Sequence, residues 1–164
     1  MSLGLTLFTL FHVAISFVGI FSGFVVLFGF LTARRLDGWT AIFLATTVAT
    51  SVTGFLFPFR GFTPAIGTGI VSTVVLAIAL YARYARRMAG GWRKTYVISA
   101  VFALYLNVFV LVVQTFLKVP ALSALAPKQN EPPFAITQLL VLVIFIVLGV
   151  LASIRFRFEP LRTP

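Results

Sequence analysis

Residues 3–35 read LGLTLFTLFHVAISFVGIFSGFVVLFGFLTARR, an apolar run that two arginines close. A helix of about 20 apolar residues crosses the roughly 30 Å of hydrocarbon in a bilayer, so this run is long enough to span one. The chain contains five such runs in all, at about 3–32, 40–57, 64–82, 95–117 and 134–154. We therefore expect an all-α polytopic integral membrane protein, a bundle of five transmembrane helices that forms a single transmembrane domain over residues 1–164.

The composition excludes an ordinary soluble domain. Of the 164 residues, 60 % are hydrophobic and 10 % are charged, whereas soluble proteins carry about 25 % charged residues. A net charge of +10 raises the question of nucleic acid. The basic residues lie at the ends of the apolar runs, however, and not on one continuous face, so no nucleic-acid partner is expected. The absence of cysteine rules out disulfides, thiolate metal sites and thiol catalysis.

The positions of the basic residues predict an orientation. Ten of the 13 lysines and arginines lie on one side of the five runs, and loops rich in Lys and Arg stay in the cytoplasm. We expect a multi-pass protein of the bacterial inner membrane with its N-terminus outside and its C-terminus in the cytoplasm. The ten expected inside are Arg34, Arg35, Arg83, Arg86, Arg87, Arg93, Lys94, Arg155, Arg157 and Arg162, and the three expected outside are Arg60, Lys118 and Lys128.

Two similar junctions indicate an internal repeat. Residues 33–39 read ARRLDGW after the first run, and residues 85–92 read ARRMAGGW after the third. An aromatic residue follows four positions after each tryptophan, Phe43 in one case and Tyr96 in the other. One hypothesis is that two repeated helical hairpins precede a fifth helix. The alternative is that any cytoplasmic hairpin collects arginines and an interfacial tryptophan.

Polar side chains inside the runs are the best guide to function, because they are costly to bury in a bilayer. At 100° per residue, His12 lies on the same face as Gly19 and Gly23, and Asn107 lies on the same face as Gln114. Most of the polar groups fall in the outer half of the bundle, and the inner half is almost wholly apolar apart from Ser and Thr. The candidate ligand-binding residues are His12, Thr53, Arg60, Asn107, Gln114, Lys118 and Gln138.

This one-sided polarity predicts a pocket that is open to the exterior and binds a small lipophilic or amphiphilic ligand, such as a quinone or a lipid. His12, Asn107 and Gln114 would form hydrogen bonds with it, while Arg60 and Lys118 would attract a negative headgroup. The alternative is an accessory or structural subunit of a larger membrane complex. A protein partner or a second copy of the chain would then dock on Gly19 and Gly23.

The residue types that the apolar runs lack exclude several classes of function. The three acids, Asp37, Glu131 and Glu159, all lie outside the runs, whereas proton-coupled carriers usually need carboxylates within the membrane. No catalytic motif and no metal site are present, so an enzyme is not expected. Because the chain has one histidine, haem ligation by two histidines would require a symmetric dimer that pairs two copies of His12. A redox dimer of this kind, or a transporter, is a further alternative. The sequence does not name a cofactor.

One long loop is predicted, at residues 118–133, and it contains four of the eight prolines. Leu122 and Leu125 are three residues apart, so a single helical turn would bring both to the headgroup layer. The loop is therefore interpreted either as an interfacial lid over the pocket or as a plain connection between two antiparallel helices.

Overall fold

The computed structural model describes residues 3–58, 61 and 64–157, and it is 84 % helical. Within these residues no β-strand forms. Five of the helices are long and apolar enough to cross a membrane, which confirms the predicted five-helix bundle. The helices are α1 (Leu3–Leu31), α2 (Asp37–Phe55), α3 (Pro64–Leu80), α4 (Trp92–Lys118), the short α5 (Pro120–Leu125) and α6 (Pro132–Arg155).

The helix ends differ from the predicted ones for local reasons. Asp37 lies in the first turn of α2, where a carboxylate is favourable beside the positive end of the helix dipole, and α2 therefore begins before residue 40. Beyond α3 the chain continues as a π-helical turn, Tyr81–Ala85, in which Arg86 N–H donates to the Tyr81 carbonyl at 2.9 Å. The predicted loop contains α5, which Pro120 starts at its first turn.

Helix α4 lies at the centre of the bundle and packs against α1, α3 and α6. Helix α2 closes the group by packing against both α1 and α3. Helix α6 is peripheral, since only Phe145 and Ala152 are buried along its length. The helices α1, α2, α3 and α4 therefore surround a common interior, and α4 and α2 face each other across it.

We call the half of the bundle that carries Arg34, Arg35, Arg83, Arg86 and Arg87 the arginine half, and the half that carries residues 119–131 the loop half. The closely packed core lies in the arginine half, where the following side chains are at most 3 % exposed: Phe30, Phe43, Tyr96 and Leu104. Around Gly23, the described side chains leave no space for a water molecule. Because lipid tails are as apolar as leucine, van der Waals packing of this kind holds membrane helices together.

Candidate functional site

His12 lies in the loop half, at the seam between α1 and α2. Its Nδ1 is 2.7 Å from Thr53 Oγ1, and its ring meets the Phe57 ring edge-on with 5.2 Å between centroids. One turn along α1, the Ser16 hydroxyl donates to the His12 carbonyl at 2.7 Å and lies 3.4 Å from the Thr50 hydroxyl. The half-buried imidazole is therefore held in position by a hydroxyl on the neighbouring helix.

Asn107 connects α4 to α2 across the interior of the bundle. Its Nδ2 donates to Thr47 Oγ1 at 3.3 Å. Gly19 of α1 lies beside this bond, since a Cβ added there would be 3.4 Å from Thr47 Oγ1 and 3.8 Å from Asn107 Nδ2. This contact places Gly19 and Asn107 at the same height in the bundle, so it fixes the axial register of α1 against α4.

His12 and Gln114 lie at the next level towards the loop end. Helices α1 and α4 are antiparallel, so seven residues back from Gly19 and seven residues on from Asn107 each correspond to about 10 Å along the bundle axis. Seven residues are also 20° short of two full turns, which keeps each side chain on the same face as its reference residue. Ideal helix geometry therefore predicts the imidazole and the Gln114 amide at about the same level, each on the face of its own helix that carries Gly19 or Asn107. Among the described residues, Gln114 has no hydrogen-bond partner.

Along the faces that α1 and α2 turn towards each other, three glycines show packing that loosens from the core towards this level, although Gly69 on α3 would place a Cβ 3.1 Å from the Phe55 ring. A Cβ added at Gly23 would be 2.5 Å from the Leu104 side chain, and one added at Gly19 would be 3.2 Å from Thr46 Oγ1. At Gly54, level with His12, an added Cβ would meet only the His12 Cε1 atom, at 3.7 Å, among the described residues. Along α4, the residues from 107 to 115 are all half-buried.

Three other candidate residues are not part of this arrangement. Gln138 Nε2 donates to the Phe109 carbonyl at 3.2 Å on the α4–α6 seam, where it contributes to packing. Lys118 is exposed at the end of α4. Arg60 lies outside the described residues. The described residues show two separate contacts of candidate residues, His12 with Thr53 and Asn107 with Thr47. Helix periodicity puts Gln114 on the same strip of α4 as Asn107.

Docking of a partner or a second copy on Gly19 and Gly23 stays a prediction, and the structure shows what the two glycines contact within the chain. Both glycines are buried inside the bundle. Gly23 faces Leu104 and Phe43, and Gly19 faces Thr46 and Thr47. Their lack of a side chain allows α1 to approach α2 and α4 of the same chain, so neither glycine is available to a partner in this structure.

The structure also contains a buried polar cluster that the sequence analysis missed. Arg83, on the π-helical turn, is only 7 % exposed and forms an ion pair with Asp37. The Asp37 carboxylate also accepts a bond from Arg35 Nε at 2.8 Å. The Arg83 guanidinium lies 5.2 Å from the centre of the Tyr96 ring and 5.5 Å from that of Tyr84. This cluster joins α2, α3 and α4 at the arginine end.

The expectation of an almost wholly apolar inner half is therefore wrong at this point. The sequence spacing could have predicted this burial. Arg83 lies four, seven and 11 residues after Ala79, Leu76 and Ser72, and these spacings put it on the same face of the helix as those buried residues. The positive-inside rule predicts only the side of the membrane on which Arg83 lies, and it does not predict whether the side chain is buried. The Tyr96 hydroxyl, which lies beside Thr40 and Arg83, is buried and makes no hydrogen bond of ordinary geometry within the described chain.

The loop between α4 and α6 folds back on α4. Gln129 Nε2 donates to the Val113 carbonyl at 2.9 Å, and the Phe116 ring meets the Phe134 ring with 5.4 Å between centroids. Leu125 remains 57 % exposed on α5. These contacts fix the loop beside the half-buried segment of α4, and both the lid and the connector interpretations stay open.

The fold defines the chain as a multi-pass helical membrane protein. Comparisons with models of protein families, with curated proteins and with solved structures give no match.

Proposed function

We propose that this protein binds a small lipophilic or amphiphilic molecule, of the quinone or lipid kind, in the loop half between α1, α2 and α4. The observation that carries the proposal is the half-buried His12, which Thr53 contacts at 2.7 Å in the loop half. Helix geometry predicts Gln114 at about the same level, and among the described residues only His12 comes within 4 Å of a Cβ added at Gly54. Polar groups are costly at this depth in a bilayer, and they typically mark binding sites there. A ligand with an apolar body and a polar head matches such a site.

Each residue has a separate role in the proposal. His12, held by Thr53, and the amides of Asn107 and Gln114 form hydrogen bonds to the polar head of the ligand. Lys118, exposed at the end of α4, attracts ligands with a negative headgroup, and Arg60 is assigned the same role from the sequence. We assign no chemical step to the site, since the Thr53 hydroxyl beside His12 donates to the Ala49 carbonyl and the described residues place no acid there.

The proposal includes the orientation of the chain. Nine of the 13 basic residues lie at the arginine end among the described residues, and the sequence predicts Arg162 on the same side. The positive-inside rule therefore favours that end in the cytoplasm of a bacterial inner membrane. The loop half then faces the exterior, with the N-terminus outside and the C-terminus inside, and the ligand enters from the outer leaflet.

The test is a titration of the purified protein in phosphatidylcholine nanodiscs with decylubiquinone and, separately, with a fluorescent phosphatidylglycerol. The His12→Ala variant is expected to weaken binding of the true ligand class about tenfold, which corresponds to one lost hydrogen bond. The matched control is Phe11→Ala, because Phe11 neighbours His12 in the chain but is 56 % exposed on the lipid-facing side of α1.

Two outcomes would contradict the proposal. One is saturable binding that His12→Ala and Phe11→Ala weaken equally, since the imidazole would then have no specific role. The other is the absence of saturable binding by the unmodified protein of both probes and of decylubiquinol.

A further inference from the structure

The hydrogen bonds around His12 determine which ring nitrogen carries the proton. Thr53 Oγ1 lies 2.7 Å from the Ala49 carbonyl oxygen and also 2.7 Å from His12 Nδ1. Each of these distances requires a proton between the two atoms. A hydroxyl has one proton and a carbonyl oxygen has none, so the Thr53 proton lies on the Ala49 side. The proton between Thr53 and the ring must therefore come from Nδ1.

An imidazole with its proton on Nδ1 has an unprotonated Nε2, which can only accept a hydrogen bond. Within the described residues Nε2 has no partner. The contact with Thr53 thus decides which groups His12 presents to a ligand, because it fixes Nδ1 as a donor and leaves Nε2 as an acceptor.

The neighbouring hydroxyl groups of α1 and α2 also donate their protons to backbone carbonyls of their own helices. Ser16 donates to the His12 carbonyl at 2.7 Å, and Ser51 donates to the Thr47 carbonyl at 3.0 Å. Thr46 donates to the Ile42 carbonyl at 2.6 Å. Each hydroxyl uses its proton on its own helix and leaves oxygen lone pairs for other groups. The polar surface that α1 and α2 offer is therefore rich in acceptors.

We propose that the ligand presents a hydroxyl group to His12 Nε2, as a quinol or another amphiphilic alcohol does, and that the site discriminates against a carbonyl or an ester at the same position. The inference rests on the proposed function and specifies its ligand class. A carbonyl oxygen facing Nε2 leaves two acceptors opposed and both without a donor, which is unfavourable once water is excluded. Gln114 has both a donor and an acceptor, so its amide accommodates either ligand.

The proton position is tested without any ligand. Because the chain has a single histidine, uniform labelling of histidine with nitrogen-15 gives one ring, and its two nitrogen shifts report the tautomer directly. The expected result is a protonated Nδ1 and an unprotonated Nε2 at neutral pH. A protonated Nε2, alone or in an imidazolium, would overturn the inference. In Thr53→Val the preference for Nδ1 should be lost, and in Thr53→Ser it should be retained.

Ligand discrimination is tested in phosphatidylcholine nanodiscs without oxygen, with decylubiquinol against decylubiquinone. The quinol is expected to bind about tenfold more tightly, the equivalent of one hydrogen bond. Thr53→Val should reduce this ratio towards one, and Thr53→Ser should preserve it. Equal affinities, or tighter binding of the quinone, would contradict the inference while leaving the proposed function intact. If no probe binds, the proposed function itself fails.

A lipid alcohol would present the same group as a quinol. The second arm of the test therefore compares a short-chain diacylglycerol, which has one free hydroxyl, with the triacylglycerol of the same chains. A preference for diacylglycerol, with no measurable binding of the quinol, would assign the site to a lipid. A preference for the quinol, with no measurable binding of diacylglycerol, would assign it to a quinol.

Discussion

The arginine half and the loop half are built from the same helices but are packed in different ways. At Gly23, aromatic and branched side chains approach so closely that a Cβ would be 2.9 Å from the Phe43 ring, whereas at Gly54 it would meet a single atom of the described residues, at 3.7 Å. The difference follows from residue size. In the arginine half Phe30, Phe43 and Leu104 interdigitate, and in the loop half α2 presents small hydroxyl residues instead.

This comparison separates two kinds of polar group. In the arginine half, Arg83 is surrounded by an acid and two aromatic rings, which offset the cost of burying its charge. In the loop half, Gln114 has no partner among the described residues. The first arrangement stabilises the fold, and the second leaves hydrogen-bonding capacity for another molecule.

The largest expected effect tests the packing difference. Gly23→Val places three carbons where Leu104 and Phe43 already lie, so we expect a loss of about 3 kcal/mol in the free energy of unfolding. The matched variant Gly54→Val should change it by less than about 1 kcal/mol, because the only described atom within 4 Å of the new Cβ is His12 Cε1, at 3.7 Å. Unfolding by sodium dodecyl sulfate in mixed micelles measures both. Equal losses would remove the distinction between the halves.

The next effect concerns the ion pair. Asp37→Asn leaves the buried Arg83 without its carboxylate, and we expect a loss of about 2 kcal/mol. This is less than for a fully buried pair because the Asp37 side chain is 58 % exposed. In Arg83→Met, adding Asp37→Asn should cost little more, as a double-mutant cycle would show. Fully additive losses would mean that the pair has no coupling.

Asn107→Leu should have a smaller effect, of about 0.6 kcal/mol, which is typical for a hydrogen bond between membrane helices. Thr47→Val, which removes the other end of the same bond, should cost a similar amount, and the two losses should not add. A loss above about 2 kcal/mol for Asn107→Leu would instead give this residue a structural role like that of Arg83.

The smallest effect lies in the loop. Desolvation raises the pKa of Glu131, but the backbone N–H groups of Glu131 itself, Lys128 and Asn130, together with the Lys128 charge, lower it below the ordinary 4.5. A lowered pKa in the folded protein gives a stabilisation that is present above about pH 4.5 and is lost as the pH falls through the folded pKa. The amide NMR shifts of Lys128 and Asn130 should follow this titration. A midpoint at or above pH 4.5 would contradict it.

Much of the fold could be predicted from the sequence because each span is a long, uncharged run between arginines or prolines. The faces of α1 and α4 were also predictable, since His12 and Asn107 share strips with residues that proved buried. Which face of α2 turns towards the interior could not be predicted, because hydroxyl residues lie on several sides of this helix. The pairing of His12 with Thr53 therefore required the structure. Gln138 was placed in the correct half but on a different seam, since α6 alone does not reveal which face meets α4.

The central claim is that the loop half is open to the exterior while the arginine half is closed. The chain has no cysteine, so single variants can be probed on intact cells with a membrane-impermeant maleimide. We expect Gln114→Cys to be modified and Ala100→Cys, on the same strip of α4 and 1 % exposed, to remain unmodified. Equal modification of both variants, or modification of Gln114→Cys only in inverted vesicles, would contradict this account.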